Sequence, residues 1–286
     1  MVLTGDTRVV GLFGDPIEHS LSPVMQNAAI QAAAINAVYV PFHVTPQDLK
    51  PAIDSIRRLG LVGINLTIPH KIAALSLVDE LDTAARVIGS INTIVNRDGK
   101  LTGYNTDGPG VCRVLREELD VDLAGQRILL LGAGGAGRAV AVSAGLAGAA
   151  WIGVANRTYE RASRLVSDVS SMVKGTTFAS LSLDADLPRH LPDRVDILIN
   201  ATAIGLKGER HPFPVLDCVR SGGAVYDAVY GRQPTPLVQE ALSAGFRAAD
   251  GLAMLAAQGE LAFKYWFGQE PPAGIMKTAL KEMRRG

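Results

Sequence analysis

The chain has 286 residues, enough for two modest domains, since domains commonly run about 100–200 residues. Apolar residues make up 48% and charged residues 20%, a balance that supports a full buried core and excludes a largely disordered chain. Lys plus Arg and Asp plus Glu are equal at 28 each, so no net field draws the chain toward nucleic acid or an acidic membrane surface, and the expected partner is a small molecule.

Met1–Val10 carries no basic segment followed by a long apolar core. No window reaches the roughly 18 uninterrupted apolar residues that a membrane span needs. A cytoplasmic location with no membrane partner is the default expectation. Cys112 and Cys218 stand alone rather than in a CxxC pair, which fits a reducing compartment and gives neither a disulfide framework nor a thiolate metal site. The five histidines are scattered, none in an HExxH arrangement, so no metal is expected.

In chain order, short β-branched runs alternate with longer amphipathic ones, the pattern of βαβ units. RVVGLFG, VYVPFHV, LVGINLTI and INTIVN read as strands, with helices beginning near Pro23, Gln47 and His70 between them. Asp98-Gly99 reads as a tight hairpin turn, because a primed turn needs positive φ. The first sheet is therefore expected to carry an antiparallel edge. After Asp107 a helix (VCRVLREEL) leads into a second series of strands, RILLLG, WIGVAN, TTFASL, DILINAT, GAVYDAVY and FRAADG. From Leu252 two helical segments, LAMLAAQGELAFKYWF and GIMKTALKEMRR, close the chain with no further strand to cover, so they are expected to pack back onto the first domain. The fold class is α/β in two domains: an N-terminal α/β substrate domain with a mixed, mainly parallel sheet (1–107, joined by 251–286), and a Rossmann-like domain (108–250).

Gly132, Gly134 and Gly137 form GxGxxG directly after a strand and at the head of a helix, the context in which this pattern binds a dinucleotide. Glycines permit the tight turn and the close approach of the pyrophosphate, whose charge is met by the N–H groups at the helix N-terminus. In such folds the second strand usually ends in an acid that binds the adenosine ribose. Here, 156 − 132 = 24 positions on, it ends in Asn156-Arg157-Thr158. A carboxylate would repel a 2′-phosphate whereas a guanidinium can grip one bidentately, so NADP is favoured over NAD. Arg161, one helical turn further, is a second phosphate contact. A solvated surface role for Arg157 stays open.

Hydride transfer to a ketone or from an alcohol needs a proton donor and acceptor for the oxygen, and Lys71 and Asp107 are the candidates. NLTIPHK places Lys71 just past a strand end and at a helix start, where the helix dipole does not favour a cation. Asp107, in GYNTDG, opens the crossover to the cofactor domain, so both are expected at one interdomain cleft. A lysine ammonium is a poor base near neutrality and a competent acid, and a neighbouring carboxylate would hold its proton in place. A surface salt bridge is the bland alternative. Ser22-Pro23 reads as an N-cap and N1 pair; with Ser20 the same hydroxyls could meet a substrate carboxylate at a helix N-terminus. Asn65, Thr67 and Asn92 are polar residues inside apolar strand runs, where an unpaired group would cost a few kcal/mol, and are expected to be hydrogen-bonded. Gln258 taken by itself reads as the exposed stripe of an amphipathic helix.

GDPIEHSLSP, NLTIPHK, GSINTI, GYNTDG, GAGGAGRA, NRT, NATAIG, DAVY with a later TPL, and DGLAMLAAQ occur in the order and spacing of the shikimate dehydrogenase family, which the sequence resembles over nearly its whole length. The resemblance implies NADPH-linked reduction of 3-dehydroshikimate to shikimate in aromatic amino-acid biosynthesis. It implies Lys71 as the acid–base group and Asp107 as its paired carboxylate, with Ser20, Ser22 and Tyr230 around the substrate carboxylate. Thr67, Asn92 and Gln258, with Lys71 and Asp107 again, would hold the ring hydroxyls. Gly134, Gly135 and Ala136 fall on the pyrophosphate loop, Asn156, Arg157 and Thr158 on the 2′-phosphate clamp, and Val229 and Gly251 near the nicotinamide.

The chain departs from the family's usual pattern where Gly231 stands in place of a frequent Pro, Ala203 in place of a Ser and Gly137 in place of an Ala. These leave open a sister activity, a shikimate/quinate dehydrogenase using NAD or NADP, which differs by one ring hydroxyl. A cofactor sensor without catalysis is the reading from another class, and the presence of Lys71 and Asp107 argues against it. A homodimer stays open as the assembly state.

Overall fold

The structure is a computed structural model that describes residues 2–231 and 233–285. The chain divides into two compact units, Met1–Thr106 with Leu255–Gly286, and Asp107–Met254. The return to the first unit thus falls inside the penultimate helix, whose first turn stays with the second unit.

The first unit begins with β1 (Arg8–Gly14), α1 (Ser22–Ala32), β2 (Ala37–His43), α2 (Leu49–Arg58) and β3 (Gly63–Leu66). It continues with α3 (His70–Ala73), β4 (Glu80–Leu81), α4 (Thr83–Ile88), β5 (Thr93–Arg97) and β6 (Lys100–Tyr104). The sheet order is β2-β1-β3-β5-β6-β4. The hairpin forms as expected, with Asp98 and Gly99 at φ 51° and 87° and β5 antiparallel to β6. The antiparallel strand is not at the edge, however. β5 is antiparallel to β3 as well, and the short β4 pairs parallel with β6 outside the hairpin. Two residues, Glu80 and Leu81, carried too little pattern to be read as a strand.

Side chains alternate across a sheet, so register decides which face each meets. Val10 pairs with Tyr39 and Gly63, and Asn65 with Thr93, which puts Tyr39, Gly63, Asn65 and Thr93 on one face. The opposite face is dry: Phe13, Ile64, Leu66 and Ile94 pack there with Ile53 and Ile56 of α2.

The second unit holds α5 (Asp107–Leu119), β7 (Arg127–Leu131), α6 (Gly135–Leu146), β8 (Trp151–Asn156), α7 (Tyr159–Met172) and β9 (Thr177–Ser182). After these come α8 (Leu187–His190), β10 (Val195–Asn200), β11 (Val219–Asp227), α9 (Pro236–Ser243) and β12 (Arg247–Asp250). All its strands are parallel, in the order β12-β11-β10-β7-β8-β9. That is the doubly wound order whose direction reverses between β7 and β10, where ligands bind at the carboxyl ends of the strands. Leu129, Leu131, Val195, Leu198 and Val225 form its core, and near-continuous apolar runs suit strands covered on both faces.

The chain ends with α10 (Gly251–Phe267) and α11 (Ile275–Arg285). Within the first unit these do pack back as expected. Trp266 Nε1 donates to the Ile94 carbonyl at 3.0 Å and Gln26 Nε2 to that of Gly259 at 3.0 Å. A Cβ at Gly63 would meet Trp266 Nε1 at 2.4 Å: the glycine makes room for the indole on the polar face of the sheet.

Candidate active site

The polar residues inside the apolar strands of the first unit are joined. Tyr39 donates its hydroxyl to Asn65 Oδ1 at 2.9 Å. Asn65 Nδ2 donates to the Asn92 carbonyl at 3.1 Å and to Thr93 Oγ1 at 3.0 Å. Thr93 donates to Asn92 Oδ1 at 3.2 Å, which also accepts the Thr106 N–H at 2.8 Å. Asn92 Nδ2 donates to Thr106 Oγ1 at 2.9 Å, and that hydroxyl reaches Gln258 Oε1 at 3.4 Å. All six side chains are buried, so each bond replaces a desolvation penalty of about 1–3 kcal/mol for a stranded group. Burial pushes the Tyr39 phenol upward, partly offset by hydrogen bonding with Ser22.

Ser22 does not cap α1. The helix starts one residue earlier than the Ser-Pro pair implies, so Leu21 occupies the cap position without a side-chain bond and Ser22 is buried in the first turn. Ser20 takes over, its Oγ accepting the Ser22 N–H at 3.3 Å. Gln258 is likewise not on an exposed stripe but buried, its Nε2 donating to the Leu255 carbonyl at 2.8 Å. The reason is tertiary, because the helix face that carries it is turned toward Thr106.

Lys71 follows β3 in the four-residue α3, anchored by its neighbours. His70 Nε2 donates to the Val44 carbonyl at 2.7 Å, and since a carbonyl only accepts, that nitrogen carries the proton. The Lys71 carbonyl accepts the Ile91 N–H at 2.8 Å, which brings Lys71 beside Asn92. Thr67 receives its place from β1: its N–H donates to the Phe13 carbonyl at 3.0 Å.

In the second unit the glycine pattern forms a turn that sequence alone could not test for space. Gly132 has φ 104°, and a Cβ there would meet the Ala201 carbonyl oxygen at 2.8 Å. At Gly137 a Cβ would meet the Gly132 carbonyl oxygen at 2.1 Å. By contrast Gly134 and Gly135 have nothing within 4 Å of an added Cβ. Two glycines therefore serve packing, while the other two, with Ala136, keep the N-terminus of α6 open, where unpaired N–H groups favour an anion.

Asn156 Oδ1 accepts the Ala133 N–H at 3.2 Å and its Nδ2 donates to the Thr158 carbonyl at 2.9 Å, so it braces the loop. Arg157, Thr158 and Arg161 are exposed. With Asn156 they line a cavity of about 520 Å³ shared with Thr202, Ala203, Ile204, Glu209 and Arg210. The residues present fit a phosphorylated dinucleotide: an open helix N-terminus for the pyrophosphate and guanidinium groups where an acid would stand in an NAD site.

Val229 and Gly251 meet through the Gly251 N–H and the Val229 carbonyl at 3.2 Å, and a Cβ at Gly251 would meet the Ala228 carbonyl oxygen at 2.2 Å. Tyr230 is exposed. Beneath them lies a group not singled out from sequence, Asp227, fully buried. It accepts from Asn200 Nδ2 at 2.8 Å, the Val229 N–H at 3.0 Å and the Thr235 hydroxyl at 2.6 Å, tying the loop after β10 to the loop after β11. Burial raises its carboxyl above the ordinary range, against the opposing effect of those bonds. Asp107 is the first residue of α5, favourable for an acid near the helix dipole's positive end. Nearby, the buried Tyr226 phenol is pushed well up by burial and by Asp227, Asp250 and Asp107.

Tyr39, Thr93 and Thr106 were also missed, since a Tyr or Thr in a strand looks like ordinary β-propensity. So were Thr202 and Arg210, which reach the cavity from loops distant in sequence. Among the described residues no group of His, Cys, Asp and Glu is arranged to hold a metal ion, and no helix is long and apolar enough to cross a membrane.

A doubly wound parallel sheet with a glycine turn at its reversal point, joined to a mixed α/β unit with a buried polar cluster, defines a two-domain dinucleotide-dependent oxidoreductase. Residues 12–94 match the shikimate dehydrogenase substrate binding domain, 113–206 the shikimate / quinate 5-dehydrogenase family and 251–281 the shikimate 5′-dehydrogenase C-terminal domain. The chain is 47% identical over 279 residues to the shikimate dehydrogenase (NADP(+)) of Geobacter metallireducens, covering 97% of each. A shikimate dehydrogenase solved in complex with NADP+ superposes with a TM-score of 0.88 at 40% identity, covering 99% of this chain and 97% of that one. The ligand-free 5-ketofructose reductase of Gluconobacter sp. strain CHM43 superposes with a TM-score of 0.92 at 31% identity, covering 98% and 100%. The chain belongs to the shikimate dehydrogenase family.

Proposed function

We propose that the chain catalyses the reversible NADPH-dependent reduction of 3-dehydroshikimate to shikimate. The observation that carries the cofactor choice is the cavity lined by Asn156, Arg157, Thr158 and Arg161, cationic where an NAD site places a carboxylate. NADPH, when bound, supplies the hydride.

The chain's own residues handle the proton and the ring. Lys71 Nζ gives its proton to the ketone oxygen as that oxygen gains charge, a task suited to an ammonium near neutral pH. Asp107 is the carboxylate assigned to pair with Lys71. Ser20, Ser22 and Tyr230 meet the substrate carboxylate. Thr67, Asn92 and Gln258 meet the ring hydroxyls, which fits a site that must hold a polyhydroxylated ring by donors and acceptors rather than by apolar contact. Val229 and Gly251, joined through their backbones, form the nicotinamide side.

A second reading, a shikimate/quinate dehydrogenase, is favoured by the match of residues 113–206 to a family that spans both substrates. Turnover of shikimate and quinate with NADP+ and NAD+, followed by absorbance of the reduced cofactor, separates the two. Shikimate with NADP+ is expected to give the highest kcat/KM; reduction with quinate and NAD+ but not with shikimate and NADP+ overturns the first reading.

A further inference from the structure

We infer that Tyr39 and Thr93 are positioning residues that fix the amide of Asn92 as a hydrogen-bond donor toward substrate. The inference deepens the reading above and rests on it. Two backbone groups settle the directions. The Thr106 N–H can only donate, and it donates to Asn92 Oδ1 at 2.8 Å. The Asn92 carbonyl can only accept, and it accepts from Asn65 Nδ2 at 3.1 Å. With both amides fixed at one end, the hydroxyl between them has one arrangement: Thr93 Oγ1 accepts from Asn65 Nδ2 at 3.0 Å and donates to Asn92 Oδ1 at 3.2 Å.

Asn92 Oδ1 then holds the Thr106 N–H and the Thr93 hydroxyl, with the Thr106 hydroxyl also at 3.2 Å, so both of its lone pairs are engaged. Asn92 meets a ring hydroxyl through Nδ2, which also donates to Thr106 Oγ1 at 2.9 Å, never through Oδ1. The hydroxyl so engaged acts as acceptor and must pass its own hydrogen to a different group.

Tyr39 closes the other end. Its hydroxyl occupies Asn65 Oδ1 at 2.9 Å; without it that oxygen is a buried acceptor with no donor, and rotation of the Asn65 amide costs less than leaving it so. Tyr39 also lies beside Ser22, and its ring sits tilted at 48° against Trp266 of α10 with centroids 5.9 Å apart. One directed chain of bonds thus runs from the region of the carboxylate-binding serines to the region of the hydroxyl-binding amides. Register explains its continuity, because Asn65 and Thr93 are direct cross-strand partners.

Steady-state kinetics of the full-length enzyme test this. Tyr39→Phe and Thr93→Val are each expected to raise KM for shikimate about 5–20-fold, the effect of disordering one or two hydrogen bonds. KM for NADP+ should stay within about twofold, and kcat should fall less than KM rises. Thr93→Ser, which keeps the hydroxyl, is expected to restore KM to within about twofold of the native value. The double variant should lose less than the product of the single losses, as expected for groups in one network. A folded Tyr39→Phe or Thr93→Val with unchanged shikimate KM, even with a lower Tm, overturns the inference alone. A native chain that fails to turn over shikimate overturns both this inference and the reading beneath it.

Discussion

The Thr235 hydroxyl donates to Asp227 Oδ2 at 2.6 Å with both residues buried. Because Asn200 and the Val229 N–H converge on the other oxygen, one carboxyl group holds two loops at the carboxyl ends of β10 and β11. Asp227→Ala strands three buried donors and is expected to cost about 3–5 kcal/mol, as breaking a buried charged network does. Thr235→Val, which also removes the bond that caps α9 through the Val238 N–H, should cost about 2–3 kcal/mol. Urea unfolding monitored by circular dichroism measures both; a loss below about 1 kcal/mol for Asp227→Ala excludes the bracing role.

The same carboxyl group gives a pH dependence with a defined sign. Burial raises its folded-state pKa above the ordinary carboxylate value, so in the window between the two the folded state binds more protons than the unfolded one. Stability from this group is fully present below the ordinary value and is lost as pH rises through the raised one. The difference in Tm between the native protein and Asp227→Asn should therefore shift against the native protein as pH rises through that window. A difference that is flat with pH removes the assignment.

Gly137 and Gly134 separate packing from ligand access. Gly137→Ala drives a Cβ to 2.1 Å from the Gly132 carbonyl oxygen and is expected to cost about 1–3 kcal/mol through backbone displacement. Gly134→Ala meets nothing, so Tm should change little while the added methyl obstructs the pyrophosphate and raises the NADP+ Kd about tenfold or more. Thermal unfolding and calorimetric titration with NADP+ check the contrast; equal effects on both readouts at the two sites would dismiss it.

Lys71→Ala is expected to lower kcat by about 10²–10⁴-fold, the range of general acid–base catalysis, with NADP+ binding nearly unchanged. Single-turnover absorbance of the reduced cofactor reads the chemical step directly. An active variant rules out Lys71 as the proton donor.

Arg157→Ala should raise KM for NADP+ by about 10–100-fold, the effect of removing a charge-assisted phosphate contact, and change KM for NAD+ little. Arg161→Ala should move the same ratio less. Equal changes for the two cofactors would remove the phosphate clamp, and a null effect would return Arg157 to solvent.

Local chemistry determined much of this protein from sequence alone. The apolar runs of β7 and β8, the positive-φ turn at Asp98-Gly99 and the glycine turn before α6 are properties of a few adjacent residues. So is the absence of an acid at Asn156-Arg157-Thr158. What the sequence could not hold was register and return. Whether Ser22 caps a helix depended on where α1 began. Gln258 was exposed or buried according to which face of α10 met Thr106, and the hairpin lay inside the sheet because Glu80 and Leu81 found β6. Tyr39, Asn65 and Thr93 come from three separate strands and form one hydrogen-bonded chain with Asn92, the residue before Thr93, only because pairing places those three on the same face, and Asp227 becomes a brace only when β10 lies beside β11. Periodicity and turn chemistry act over a few residues along the chain, whereas the bonds that orient a site join groups that only the folded sheet makes neighbours.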